Sequence, residues 1–214
     1  MLKAIIFDLD GTLVDSQPLL YKSYNTVFTK AGFPLNKKDW EMWIHNSWAA
    51  TEWIKYKKLP LVPSELRAEK KKIYEKLVIK ELKLKPGVRT LVNNLWKKYP
   101  LAIASASRIE SIKLCLKKFK LEKKFKILCA EENSMRGKPF PDIFLKTAEL
   151  LHVKPEDCLV FEDSVAGLTA AKSAGMKCIV CPDNFCPLPI SKFKKADKIV
   201  NSLKDVTIKM VVGY

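Results

Sequence analysis

The 214-residue sequence predicts an α/β fold, in which a doubly wound, mainly parallel sheet carries an inserted all-α subdomain. Short apolar runs alternate with helical stretches along most of the chain, which is typical of parallel strands covered by helices on both faces. This alternation fails between residues 16 and 85, where helical patterns occur without a convincing strand. We therefore predict a core domain formed by residues 1–15 and 86–214, and an inserted helical domain formed by residues 16–85.

Each predicted strand is short and mostly apolar on both faces, as expected of a buried parallel strand. Helical stretches lie between the strands, and Gly175 stands where a helix needs a left-handed residue at its C-terminus. In sheets of this kind, ligands bind at the carboxyl ends of the strands. Strands are predicted at residues 2–7, 101–104, 127–130, 158–161, 178–181 and 198–200, and helices at residues 88–98, 109–119, 141–151 and 165–174.

The inserted region holds four of the five tryptophans, which we interpret as packing for a small helical core. A proline-containing segment, residues 60–64, interrupts the region, and Ser64 is the predicted N-cap of a helix that runs to residue 80. Pro86-Gly87 then marks the return to the alternating pattern. The four tryptophans are Trp40, Trp43, Trp48 and Trp53.

The sequence is strongly basic, since 39 Lys and Arg residues against 23 Asp and Glu give a formal net charge of +16. Such a charge attracts anions, which include both nucleic acids and phosphorylated metabolites. The densest lysine runs, within residues 117–126, are interrupted by apolar residues that resemble helix and strand anchors, and no nucleic-acid-binding module accompanies them. We therefore interpret the lysines as surface residues that help to gather an anionic substrate, and we do not expect nucleic-acid binding.

Features of the sequence also suggest where the protein works. Apolar runs stay well short of the roughly 20 residues that span a bilayer, and the first run meets Asp8 too early for a signal peptide. We expect a cytoplasmic monomer without membrane contact. Cys178-x-x-Cys181, followed by Cys186, invites a zinc or redox interpretation, but both histidines are far away in sequence. We predict reduced thiols that pack in the core.

Two carboxylates follow the first predicted strand. Asp8 and Asp10 are two residues apart and therefore lie on the same side of the chain. They repel each other, and a divalent cation or a role for a protonated carboxyl would relieve the repulsion. Gly11 permits a sharp turn after them, and Thr12 brings a hydroxyl into it. The pair alone is a weak signal, because surface loops are rich in aspartate.

Three later segments strengthen this signal, because each follows a strand or opens a helix. The Ser-Ala-Ser segment at residues 105–107 offers a hydroxyl and backbone amides suited to phosphate oxygens. Lys138 precedes a helix and offers a fixed cation, whereas Glu162 and Asp163 end the fourth strand with carboxylates suited to a hard cation. Each has an ordinary explanation as a turn, a surface lysine or a helix cap. Together and in this order they predict one site.

These motifs resemble those of the haloacid dehalogenase (HAD) superfamily, in the subgroup with a helical cap inserted after the first motif. The resemblance spans nearly the whole chain and implies a Rossmann-like core, phosphoryl transfer and Mg²⁺ as the cofactor. It rests on Asp8-Leu9-Asp10-Gly11-Thr12, Ser105, Lys138-Pro139 and Glu162-Asp163.

The resemblance also implies a role for each motif residue. Asp8 would be the nucleophile and form an aspartyl-phosphate. Asp10 would act first as a general acid and then as a general base. Mg²⁺ would be bound by the Asp8 carboxylate, the Asp10 backbone carbonyl and Asp163, with Glu162 near or among the ligands. The phosphate-binding residues would be Thr12, Ser105, Ala106 and Lys138.

Within the superfamily, the sequence favours a phosphatase of small phosphorylated metabolites, which we expect to be sugar phosphates. Dehalogenases and phosphonoacetaldehyde hydrolases lack a counterpart of Asp10. β-Phosphoglucomutases keep both aspartates and are the main alternative, but they have a histidine in place of Leu20 and a glycine and arginine motif in place of residues 44–50. A catalytically silent binding protein is less favoured, because the set of acidic and basic motif residues is intact.

Overall fold

The computed structural model describes residues 1–46, 48–131 and 135–214. The chain divides into two compact units, and each is continuous in space although the first is interrupted in sequence. The first unit comprises Met1–Asp15 and Lys83–Tyr214, and the second comprises Ser16–Leu82.

The boundary at the end of the second unit differs slightly from the predicted one, because residues 83–85 belong to the first unit. The backbone N–H of Asp15 donates to the Lys83 carbonyl at 2.9 Å, and the N–H of Lys85 donates to the Leu13 carbonyl at 3.0 Å. The ammonium group of Lys85 also lies 2.8 Å from the Asp183 carboxylate. These bonds join the two segments of the first unit where the chain leaves it and returns.

In the described residues, six parallel strands form one sheet at the centre of the first unit. Their order is β3-β2-β1-β4-β5-β6, so the chain starts in the middle, proceeds to one edge and then crosses to the other. This is the strand order of a Rossmann-like, doubly wound sheet, and it confirms the predicted fold class. The strands are β1 (Ala4–Phe7), β2 (Leu101–Ser105), β3 (Ile127–Ala130), β4 (Cys158–Glu162), β5 (Lys177–Val180) and β6 (Lys198–Ile199).

The register of the sheet brings the ends of three strands to one level. Phe7 at the end of β1 pairs with Ile103 of β2 and with Phe161 of β4. The N–H of Asp8 then donates to the Phe161 carbonyl at 2.9 Å. The rings of Phe7 and Phe161 stack with their centroids 4.8 Å apart, directly before the polar residues begin. The strand order reverses between β1 and β4, which is where such sheets bind ligands.

Helices of the first unit cover the sheet. Helix α7 packs against β1, β2 and β3, while α8 packs against β4 and β5. Gly175 adopts the predicted left-handed conformation after α8, with φ of +77°. Helix α5 ends at Leu95, short of the predicted residue 98. The helices are α5 (Val88–Leu95), α6 (Ile109–Phe119), α7 (Asp142–Leu151), α8 (Val165–Ser173) and α9 (Ile208–Val212).

The second unit consists of helices in the described residues. Helix α4 begins at Pro63, so the prediction that Ser64 is its N-cap is wrong, and Val62 occupies that position. Proline is favoured at the first helical residue because its fixed φ suits the helix and it has no N–H group to leave unpaired. The helices are α1 (Gln17–Lys30), α2 (Lys37–His45), α3 (Ala50–Tyr56) and α4 (Pro63–Glu81).

Three of the four tryptophans of the second unit lie in its core, in agreement with their interpretation as packing residues, and Trp48 is half-buried. Trp40, Trp43 and Trp53 are at most 3% exposed. The Trp43 ring lies 5.5 Å from the rings of both Trp40 and Trp53, and 4.8 Å from that of Tyr24. Aromatic rings at such separations contribute beyond the area they bury. Residues 44–50 are the segment in which the chain departs from the mutases. Within it, Ser47 lies outside the described residues.

All six cysteines are reduced and buried, in agreement with the predicted packing role. Burial raises the pKa of the Cys115 and Cys158 thiols to about 12, so both are protonated and unreactive at neutral pH. No helix in the described part of the chain has the length and apolar character needed to cross a membrane.

Asp157, just before β4, provides a test of stability against pH. Its carboxylate accepts a hydrogen bond from Lys3 Nζ at 2.6 Å, and this bond lowers the pKa of Asp157. Such a group stabilises the fold above its unfolded pKa of about 3.9 and loses the contribution as pH falls through its folded pKa. We therefore expect Asp157→Asn to lower the free energy of unfolding near neutral pH, with the deficit vanishing in acid.

Urea titrations between about pH 7 and about pH 2 measure this difference. Glu156→Gln is the matched control, because the neighbouring Glu156 is exposed and its carboxylate is 4.0 Å from Lys154. A deficit for Asp157→Asn that stays constant across the whole pH range would contradict the prediction.

Candidate active site

The predicted site residues of the first unit converge at the carboxyl edge of the sheet. Asp8 and Asp10 follow β1, Ser105 ends β2, and Glu162 ends β4. Lys138 comes from the segment between β3 and α7. These elements are far apart in sequence, and the parallel register brings their ends together.

Lys138 joins the two buried carboxylates of this site. Its Nζ lies 2.6 Å from Asp8 Oδ1 and 2.6 Å from Glu162 Oε1, and it donates to the Ala104 carbonyl at 3.4 Å. Burial opposes the charge on Lys138, but Asp8 and Glu162 outweigh it and raise the pKa of Lys138. The lysine is therefore a fixed cation at neutral pH.

Glu162 uses both of its carboxylate oxygens within the protein. Oε1 contacts Lys138, whereas Oε2 accepts hydrogen bonds from Asp163 N at 3.0 Å, Ser164 N at 3.1 Å and Ser164 Oγ at 3.0 Å. Ser164 Oγ in turn accepts from Gly167 N at 2.9 Å and caps α8. Glu162 thus fixes Lys138 to the start of α8, and its expected place near or among the metal ligands stays a prediction.

Asp163 faces the turn that follows β1. Its Oδ1 accepts a hydrogen bond from Thr12 Oγ1 at 3.3 Å. Gly11 has φ of +86°, and a Cβ atom at this position would collide with the Asp163 carboxyl. Glycine is therefore required here both for the backbone conformation and for the close approach of the carboxyl group. Thr12 is buried, and its hydroxyl contacts Asp163, whereas we expected it to bind phosphate.

Asp10 is held by the Ser-Ala-Ser segment after β2. Ser107 Oγ donates to Asp10 Oδ2 at 2.6 Å, and Ser105 Oγ approaches the same oxygen at 3.5 Å. The backbone N–H of Ser107 donates to Ser105 Oγ at 3.0 Å. Ala106 between them is exposed. Sequence reasoning did not assign a role to Ser107, although its position two residues after Ser105 places both hydroxyls in one turn.

The acidic centre fits a divalent cation. Asp8 and Asp163 are 6% and 7% exposed. Burial, the largest cause, raises the pKa of Asp8 and holds the pKa of Asp163 well above its usual range; Glu162 raises both. The site thus contains more carboxylate than Lys138 neutralises, and a hard cation would relieve the excess.

The donor set also suits Mg²⁺ among hard cations. Within the described ranges, no three His, Cys, Asp or Glu side chains are clustered as a complete metal site. A cation bound by Asp8 and Asp163 would therefore need further oxygen ligands from the backbone and from water. Mg²⁺ accepts such a set, because it usually keeps several waters and binds one or two protein carboxylates.

Comparison with known proteins identifies the family. The family model described as haloacid dehalogenase-like hydrolase matches residues 5–181. A phosphorylated carbohydrates phosphatase from Thermotoga maritima is 34% identical over 186 residues, which cover 82% of this chain and 83% of that protein. Hexitol phosphatase B from Escherichia coli is 32% identical over 223 residues, covering 98% and 96%. Among solved structures, CbbY from Rhodobacter sphaeroides in complex with phosphate has a TM-score of 0.85 at 26% identity, over 96% of each chain.

The chain therefore belongs to the haloacid dehalogenase-like hydrolases, since the family model spans most of its length. This finding confirms the superfamily that the motifs indicated. The two phosphatases at more than 30% identity also confirm the predicted class of enzyme, a phosphoric monoester hydrolase of the HAD type.

Gly167 provides a test of how tightly this site is packed. A Cβ atom at Gly167 would collide with the Glu162 carboxyl, which would lose its place between Lys138 and α8. We expect Gly167→Ala to lower the free energy of unfolding by about 1–3 kcal/mol through this overlap. The loss should appear even though alanine is the better helix former by about 1 kcal/mol.

Chemical denaturation measures the effect of the substitution. Gly213→Ala is the control, because the nearest atom to its Cβ would be 3.5 Å away, an ordinary contact. If Gly167→Ala and Gly213→Ala unfolded at the same denaturant concentration as the unmodified protein, the close packing of Glu162 against α8 would be refuted.

Proposed function

We propose that the protein is a Mg²⁺-dependent phosphatase that hydrolyses small phosphorylated metabolites, foremost sugar phosphates, through an aspartyl-phosphate. The observation that carries the proposal is the contact of 2.6 Å between the buried Asp8 carboxylate and Lys138, at the carboxyl end of the central strand. The similarity to phosphatases of phosphorylated carbohydrates and of hexitols supports the substrate class.

The first half of the reaction transfers the phosphoryl group to the protein. An oxygen of Asp8 forms a bond to phosphorus while the bond from phosphorus to the ester oxygen breaks. The electron pair of the broken bond stays on the ester oxygen, and Asp10 supplies the proton that this oxygen takes up. Lys138, the Ser105 hydroxyl and the exposed backbone of Ala106 bind the phosphoryl oxygens as charge moves onto them.

The second half regenerates the free protein. Asp10, now ionised, takes a proton from a water molecule whose oxygen attacks phosphorus, and the bond from phosphorus to Asp8 breaks. Mg²⁺, held by Asp8, Asp163 and the Asp10 carbonyl, would supply positive charge between the nucleophile and the phosphoryl oxygens. Thr12 orients Asp163 through its hydroxyl, and binding of phosphate by Thr12 stays a prediction.

The cellular compartment and the oligomeric state of the protein are also proposals. We infer that the protein works in the cytoplasm, because its six cysteines are buried and form no disulfide, which suits a reducing compartment. We keep a monomer as the expected state, and light scattering in solution tests it.

Asp8→Asn should reduce turnover of sugar phosphates by about a thousand-fold or more, because the amide cannot act as the nucleophile. Phosphate release from a panel of phosphorylated metabolites measures the loss. Asp157→Asn is the matched control, since it makes the same change of charge at the amino end of the sheet. Turnover of Asp8→Asn at the level of the unmodified protein would rule out the assigned nucleophile.

Removal of divalent cations should abolish the same activity, and Mg²⁺ should restore it. Asp163→Asn should need a higher Mg²⁺ concentration for half-maximal rate, because it removes one carboxylate ligand.

Assays with β-glucose 1-phosphate run alongside distinguish the alternative reaction. Isomerisation to glucose 6-phosphate without release of phosphate would favour a phosphosugar mutase over a phosphatase.

A further inference from the structure

The Asp10 carboxyl group is fixed by a side chain that has no place in the mechanism above. Ser107 Oγ lies 2.6 Å from Asp10 Oδ2, which is within the range for a hydroxyl that donates to an ionised carboxylate. Ser107 is half-buried, and its backbone N–H is already used by Ser105 Oγ at 3.0 Å. The Ser107 hydroxyl therefore ties the turn after β2 to Asp10, while its N–H bond to Ser105 holds the turn itself.

We propose that Ser107 is the positioning residue of the general acid: its hydroxyl holds the Asp10 carboxyl group in the orientation that delivers a proton to the leaving oxygen. This inference rests on the proposed function and deepens it. The hydroxyl can serve both charge states of Asp10, because it donates to an ionised carboxylate and accepts from a protonated carboxyl. It can thus keep the group in place throughout the reaction cycle.

The contact matters because proton delivery depends steeply on geometry. A well-placed general acid accelerates a reaction by about 10²- to 10⁴-fold, and a displacement of about 1 Å can remove about 10²-fold. The bond to Ser107 is much closer than the 3.5 Å approach of Ser105 Oγ to the same oxygen. Ser107 is therefore the stronger of the two restraints that this segment places on Asp10.

The leaving group provides a readout that a purely structural role would not change. An alcohol leaving from a sugar phosphate needs a proton, whereas p-nitrophenolate leaves as a stable anion. Because kcat/KM reports the steps up to the first irreversible one, it reflects phosphoryl transfer to Asp8 and not the later hydrolysis. A poorly placed acid should therefore lower kcat/KM for the sugar phosphate selectively.

The experiment compares kcat/KM for a hexose 6-phosphate and for p-nitrophenyl phosphate in the full-length protein with Mg²⁺. We expect Ser107→Ala to lose about ten- to a hundred-fold on the hexose phosphate and less than about three-fold on p-nitrophenyl phosphate. Ser107→Thr, which keeps the hydroxyl, should recover most of the loss. Ser111→Ala in α6 removes a serine hydroxyl outside the site and should leave both substrates unchanged.

A double substitution tests whether Ser107 acts through Asp10. In an Asp10→Asn background, Ser107→Ala should cause no further selective loss, because two residues that act through one step are not additive. Equal losses on both substrates, or no loss on either, would overturn the role of Ser107 while leaving the phosphatase intact. If the unmodified protein hydrolysed neither ester, the proposed function itself would fail, and the positioning role with it.

Discussion

The pairing of Lys138 with two buried carboxylates is the constraint on which the site depends. A lysine and two acids removed from water are stable only when each charge is met by its partners and by further hydrogen bonds. Asp8 and Glu162 supply the negative charges that face Lys138, and the start of α8 supplies hydrogen-bond donors to Oε2 of Glu162. Removal of any one of these groups would leave another buried charge unmatched. The cluster is therefore built as a unit, and it joins the segment before α7 to the ends of β1 and β4.

The order of the strands explains why this unit can form at all. β1 lies between β2 and β4, so its carboxyl end faces residues from both halves of the sheet. Phe7 and Phe161 close the apolar layer one residue before the charges begin. A shift of β1 by one residue would place an apolar side chain where Asp8 contacts Lys138. The apolar pattern of the strand thus sets the position of Asp8 as firmly as the ion pairs do.

Much of this arrangement follows from sequence, because apolar strands and strand-end motifs obey local rules. The six strands, the left-handed Gly175 and the grouping of Asp8, Lys138 and Asp163 all fall within those rules. Contacts between side chains that are far apart in sequence do not follow from such local rules. We expected Glu162 near or among the metal ligands, and the structure shows that both of its carboxylate oxygens contact protein groups. Nothing in the sequence marks Ser107 except its position near Ser105. The start of α4 was mispredicted because two rules competed there, and proline at the first helical residue prevailed over serine as a cap.

The central place of β1 also affects the order in which the protein can be built. β1 is made before its neighbours β2 and β4, which follow the whole second unit, and the contact between Asp8 and Lys138 spans 130 residues. The second unit is continuous in sequence, so on the ribosome it can assemble while the apolar segment Ala4–Phe7 still waits for its partners. Closing such long-range contacts is the slow part of folding for a parallel sheet. Asp8 is thus synthesised well before the residues that surround it, and it is among the last residues to reach its final surroundings.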